Sequence, residues 1–441
     1  MLSKDRSSQI FHIALPIIGG MMSQNVLNLV DAAMVGQLGK IELAAVGLAS
    51  FVNFVAAAIF MGFSSGVQAT VARRIGEGKD SIAANPLNGA LILILIASIP
   101  TSYLLMSYSN EIMTMLNNDQ KVATVGSQYL DMRLIGIMAI GMNFSFRGYL
   151  SAIKMTQFYF KTIVIMHVIN IFLNYVLIFG NWGFPELGAT GAGLGTTISL
   201  FTGTFIYLFL TVKHTKQYGF GLHLPKLETV KQLIKISIPA SLQQLFFALG
   251  FTLLFWIVGQ IGTDELAVAH VLTTLTLVAI LPSIGFGMSA GTLVGQALGR
   301  KDETDAYQWG WDTSKIAALS ITLISAPMLF IPDLLLSIFL HQESLIELAR
   351  LPLQLVGIAI IIDAYNLVLM SALQGAGATK IVMIVSIVCQ WFIFLPLAWY
   401  IGPYMGMGIT AIWLTQGLYR LFQVGWFALL WYKKDWAKIE V

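Results

Sequence analysis

Cysteine is nearly absent from this 441-residue chain, which carries only Cys389. A disulfide framework is excluded, and so is any metal site built on several thiolates. Charge is the second scarcity. Asp, Glu, Lys and Arg make up 11% of the residues, against about 25% in soluble globular chains. Catalytic motifs are missing too. There is no Walker A sequence, no His-Glu-x-x-His and no Gly-x-Ser-x-Gly, which argues against transport driven by ATP hydrolysis within this chain. Histidines and acids do not cluster near one membrane interface, as an integral membrane enzyme would require. The chain is therefore not expected to be an enzyme, to hold a cofactor or to bind nucleic acid.

Apolar sequence fills the space that charge leaves: 57% of the residues are hydrophobic. Runs of about 20 such residues, the length that crosses a ~30 Å hydrocarbon core, recur throughout. Twelve are found, near 10–36, 43–72, 82–107, 122–147, 157–180, 187–212, 230–260, 266–298, 306–331, 346–373, 380–401 and 406–432. The first is too long for a signal peptide and lacks its cleavage site. Of the 25 Lys and Arg, all but Lys40, Lys121, Arg133 and Arg350 fall on one side if both termini are cytoplasmic, and the positive-inside rule selects that orientation. The expectation is an all-α integral membrane protein of twelve transmembrane helices with both termini in the cytoplasm.

The chain repeats itself. A shift of 223 residues pairs Pro16 with Pro239, Gly36 with Gly259, Gly39 with Gly262, and Glu42-Leu43-Ala44 with Glu265-Leu266-Ala267. The same shift pairs Gly62-Phe63 with Gly285-Phe286 and Gly76 with Gly299. Two pseudo-symmetric six-helix bundles follow, with a lobe at 1–212, a cytoplasmic linker at 213–229 and a lobe at 230–441. Two such bundles moving about a midplane site are a recurrent transporter design.

The repeat also isolates what differs. Asp31 pairs with Leu254, so the scaffold itself does not need the acid. A carboxylate inside a membrane helix costs about 2.5–3.5 kcal/mol on insertion scales and marks a functional position, the alternative being a structural acid satisfied by neighbouring amides. Gln24, Asn28 and Asp31 share one helical face, and His167, Asn170 and Asn174 share one in the fifth run. Depth from the outer membrane end lets Asp31, Asn170, Asn174 and Thr196 converge, and the glycines of Gly191-Ala-Gly-Leu-Gly-Thr196 permit close backbone approach. Burial disfavours the charge of an acid while donated hydrogen bonds favour it, so such an acid is poised to exchange a proton. A sodium ion held by the oxygens of Asp31, Asn170, Asn174 and Thr196 is the rival use. His167 reads as a hydrogen bonder within the bundle. Pro16 interrupts the first helix, and Gly19-Gly20 beside it adds slack. These three residues are read either as a hinge or as a fixed kink shared with Pro239. Asp363 is the acid candidate of the second half.

Ala14-Leu-Pro16, Asp31-Ala-Ala-Met-Val-Gly36, Leu38-Gly39 to Leu43-Ala44 and the repeat at Ile238-Pro239 together resemble the multidrug and toxic compound extrusion (MATE) transporters. The resemblance extends over the whole chain and looks closest to the bacterial DinF-like branch. It implies a V-shaped pair of six-helix lobes that acts as a monomer in lipid and exports amphipathic, often cationic drugs in exchange for protons or sodium. It assigns coupling to Asp31, Asn170, Asn174 and Thr196. Several relatives have a second aspartate where this chain has Asn174, which shifts the expectation toward protons. Asp363 resembles an acid of the family's NorM-like branch, whose partner acid has no counterpart between Gln243 and Gln260. A lipid-linked precursor flippase of the same superfamily is the alternative, although it would call for more cationic residues along the cavity.

Overall fold

A computed structural model describes residues 3–222 and 224–441; Met1, Leu2 and His223, the last within the expected linker, lie outside it. All regular elements among the described residues are helical. In lipid this is forced, because each backbone N–H and C=O must find its partner within the protein. The long helices are α1 (Lys4–Gly36), α2 (Lys40–Gly76), α3 (Asn85–Ser107), α4 (Gln120–Ile135), α5 (Ile137–Ala152), α6 (Thr156–Phe179) and α7 (Gly188–His214). The second half supplies α8 (Leu227–Gly259), α9 (Thr263–Gly299), α10 (Glu303–Phe330), α11 (Glu343–Gly375), α12 (Thr379–Tyr404) and α13 (Gly408–Lys433). Ten spans are long and apolar enough to cross a membrane by length and composition. The other two expected crossings are helical as well. One is α4 and α5, divided at Gly136 and carrying Asp131, Arg133 and Arg147; the other is α13, which carries Arg420.

Polarity is inverted relative to a soluble protein. Phe205, Leu323 and Phe392 are exposed, whereas Asn170, Asn174 and Asp363 are buried. Large outward apolar side chains of this kind suit lipid as the solvent.

The chain forms two compact units, one of residues 19–75 and 79–241, the other of 1–18, 76–78 and 242–441. Two of the boundaries fall well inside helices. α1 changes unit between Ile18 and Gly19, and α8 between Ser241 and Leu242, 223 residues later. The repeated glycines explain what receives these helix starts. A methyl group on Gly62 would lie 2.2 Å from the Ser241 backbone nitrogen and 2.5 Å from the Ser237 carbonyl oxygen. Its repeat image Gly285 would meet Ile18 and the Ala14 carbonyl oxygen, which are the 223-residue images of the same two positions. A side chain at either glycine would push the helix start away, so backbone-close packing accounts for both.

The start of α1 is also pinned electrostatically. Arg6 Nη1 is 2.6 Å from Asp305 Oδ1, and Arg6 Nε is 2.7 Å from Asp312 Oδ2. The guanidinium stacks 3.7 Å over the Trp309 ring, whose Nε1–H donates to Asp305 at 2.9 Å. α1 itself runs as one helix through Pro16 and Gly19-Gly20.

Candidate functional site

The polar residues singled out in α1, α6 and α7 divide into two groups. The first is a chain along Ser23, His167, Gln24 and Asn28. Ser23 Oγ is 2.7 Å from His167 Nδ1, His167 Nε2 is 3.1 Å from Gln24 Oε1, and Gln24 Nε2 donates to Asn28 Oδ1 at 3.1 Å. Because the Gln24 oxygen can only accept, Nε2 carries the His167 proton and Nδ1 accepts from Ser23. The histidine is thus a satisfied neutral ring that ties α1 to α6. Asn28 is exposed and does not reach Asp31.

The second group surrounds Asp31. Asn174 Nδ2 donates to Asp31 Oδ1 at 2.8 Å. Asn170, fully buried, lies against the same oxygen. With its amide nitrogen toward the acid it donates to Asp31 Oδ1 at 3.0 Å, while its oxygen accepts from the Thr196 backbone N–H at 3.2 Å and the hydroxyl at 3.1 Å. With the amide turned over, its oxygen faces Asp31, its nitrogen donates to Thr196 Oγ1, and Asn174 Nδ2 reaches its oxygen at 3.2 Å. All four expected residues therefore meet at one point. The Asn174 oxygen is buried without a hydrogen-bond partner.

Glycines make this convergence possible. On α7, a methyl on Gly195 would lie 2.5 Å from Asn174 Oδ1, and one on Gly191 would lie 2.4 Å from the Leu177 carbonyl. Gly20 on α1 has a packing role of its own, since a methyl there would come within 2.7 Å of the Tyr159 ring.

Two charged residues of α4 were not read as functional from the sequence. Arg133 of α4 brings its positive charge close enough to act on Asp31, and its Nε is buried without a hydrogen bond. Asp131 of the same helix buries an unpartnered carboxylate oxygen. A charge inside an apolar run is the signal that would have found both. Among the described residues Asp31 itself forms no ion pair.

Asp363 lies apart, in the second unit. Its Oδ1 is 3.4 Å from Arg420 Nε of α13, with the two side chains 7% and 12% exposed. A small pocket lined by Thr276, Trp413 and Gln416 opens onto the pair.

With this geometry in hand, comparison with known proteins decides the family. The MatE family model matches the chain twice, at residues 16–176 and 239–400. The chain belongs to the MatE family. The two matches begin at Pro16 and Pro239, the first pair of the internal repeat. MatE proteins are transporters, and this one is a multi-pass membrane transporter rather than an enzyme. It is 25% identical over 439 residues to a probable multidrug resistance protein NorM of Thermotoga maritima, covering 98% of this chain and 94% of that protein. A MOP superfamily transporter from Pyrococcus furiosus superposes with a TM-score of 0.90 at 22% identity, covering 99% of this chain and 97% of that one. A MATE protein solved in the straight conformation gives 0.89 at 22% identity, with 98% and 97% covered. These two structural likenesses establish the shared MatE fold.

Proposed function

We propose that this MatE protein exports amphipathic, cationic drugs across a bacterial cytoplasmic membrane in exchange for protons, with Asp31 as the group that takes up and releases the proton. The multidrug-resistance name of its relatives supports the substrate class, and the amide cage around Asp31 supports the coupling. One observation carries the reading: the Asn170 amide has a bonded arrangement for each protonation state of the acid. With nitrogen toward Asp31 it donates to a carboxylate at 3.0 Å. With oxygen toward Asp31 at that same distance, it accepts from a protonated acid. Asn174 has a comparable option, because its unpartnered oxygen becomes an acceptor when that amide turns. Neutral amides solvate both forms, so neither is trapped.

Both termini face the cytoplasm in this reading, and the chain works as a monomer in lipid with an ion gradient as its sole energy source. Asp31 as the first-helix acid also supports the DinF-like placement. A sodium-coupled variant would use the same oxygens, but in the ionised arrangement two amide nitrogens point at the carboxylate, which suits a bare anion better than a caged cation. The test is drug efflux from intact cells with each gradient collapsed separately. Efflux should persist in sodium-free medium and stop when a protonophore removes the pH gradient; strict sodium dependence would replace the proton with sodium.

A further inference from the structure

We propose that Arg420 is a tethered counter-ion occupying the place on Asp363 that an exchangeable cation would need, so that the second unit holds no exchangeable coupling ion and transport is driven through the first unit alone. This rests on the reading of Asp31 given above. An acid within the membrane is accommodated by a proton, a metal ion, a fixed cation or, as at Asp31, neutral amide donors. Asp363 has the third kind. Arg420 Nε lies 3.4 Å from Asp363 Oδ1, and among the described residues neither atom has another hydrogen-bond partner.

The guanidinium is fixed from other sides. Its Nη1 donates to Gln423 Oε1 at 3.3 Å, and Asn366 Nδ2 donates to that same oxygen at 3.2 Å. The Tyr419 ring centroid lies 5.0 Å from the guanidinium carbon. Tyr419 and Cys389 are the other titratable groups whose fields reach the pair, and neither supplies positive charge. Since a guanidinium stays protonated at any working pH, Asp363 keeps its partner when Asp31 exchanges its proton. The pocket lined by Thr276, Trp413 and Gln416 meets the pair. Removing the arginine would leave the Asp363 carboxylate facing this pocket.

The test uses purified full-length protein carrying Asp31→Asn, which silences the first site, melted in sodium and in N-methylglucamine salts at equal ionic strength and alkaline pH. This protein should melt identically in both salts. Adding Arg420→Gln should create a sodium-dependent upward shift of a few degrees, and adding Asp363→Asn to that variant should abolish it. Should Arg420→Gln fail to fold, Arg420→Lys keeps a tethered charge and should melt without sodium dependence. A sodium shift in the Asp31→Asn protein that Asp363→Asn removes would overturn the proposal. So would a folded Arg420→Gln protein with no shift, or a sodium-dependent Arg420→Lys. Drug export by Asp31→Asn at the wild-type level is a different failure, which would sink the reading of Asp31.

Discussion

Asp31 and Asp363 each place a carboxylate in an apolar helix, one in each unit, the first half-buried and the second buried, and the surroundings differ in kind. Asp31 rests on the Asn170 and Asn174 amides, with the charge of Arg133 at hand but no ion pair. Asp363 faces a guanidinium at 3.4 Å. Amides can turn over and solvate an acid or its anion, whereas an arginine favours only the anion. On the reading proposed above, one acid of the repeated scaffold can switch and the other is held. At the repeat positions of Gln24, Asn28 and Asp31 the second half has Phe247, Phe251 and Leu254, so this polar face has no counterpart in the repeat.

The sharpest way to break this contrast is to neutralise each acid. Asp31→Asn should abolish drug resistance in cells while the protein still reaches the membrane in normal amount. The charge-neutral pair Asp363→Asn/Arg420→Gln should retain export, because replacing both partners of a buried ion pair is often nearly neutral. Arg420→Gln alone leaves a carboxylate uncompensated and should destabilise the protein by about 3–5 kcal/mol. Resistance at the wild-type level from well-expressed Asp31→Asn, or loss of export in the folded double variant, would erase the distinction between the two acids.

A milder perturbation leaves the acid in place and disturbs its cage. Gly195→Ala puts a methyl 2.5 Å from Asn174 Oδ1, so the amide must move off Asp31. Overpacking of this kind costs about 1–3 kcal/mol. Efflux should fall severalfold, measured against an expression-matched wild type, whereas Gly47→Ala, where an added methyl meets nothing within 4 Å, should leave it unchanged.

The grouping of Asp31, Asn170, Asn174 and Thr196 was legible because helical spacing and depth alone bring these residues together. Asn28 shows the limit of that reasoning. At about 100° per residue it sits roughly 60° around the helix from Asp31, enough to place it on the exposed side while Gln24 stays near the acid's azimuth. Arg133 and Arg420 were visible as charges in apolar runs, but their partners lie on other helices and no local pattern names them. The change of unit at Ile18 and Ser241 left no mark either, since no charge breaks the sequence near either point. Only the glycines at 62 and 285 record it, and their neighbours become known only once the helices are packed.

The smallest expected effect is geometric, and it concerns how a proton on Asp31 is felt elsewhere. Protonation replaces accepted hydrogen bonds with a donated one, so the contacts of Asp31 with Asn170 and Asn174 must rearrange. Those amides lie on α6, and Thr196 on α7, hence the strain falls on the outer part of α1. That part belongs to the first unit, while the segment before Gly19 belongs to the second and is clamped at Arg6 by Asp305 and Asp312. Between the two lie Pro16, which lacks a backbone hydrogen bond, and the Gly19-Gly20 pair. Bending is easiest there. A difference of one pKa unit between two conformations is worth 1.36 kcal/mol, so about two units would reverse a modest bias. Spin labels on α1 either side of Pro16 should report a straighter helix at high pH and a more bent one at low pH. The pH response should vanish in Asp31→Asn and shrink in Pro16→Ala. A distance distribution that does not change with pH in the wild type, or bending that survives in Asp31→Asn, would leave Pro16 as a fixed kink shared with Pro239.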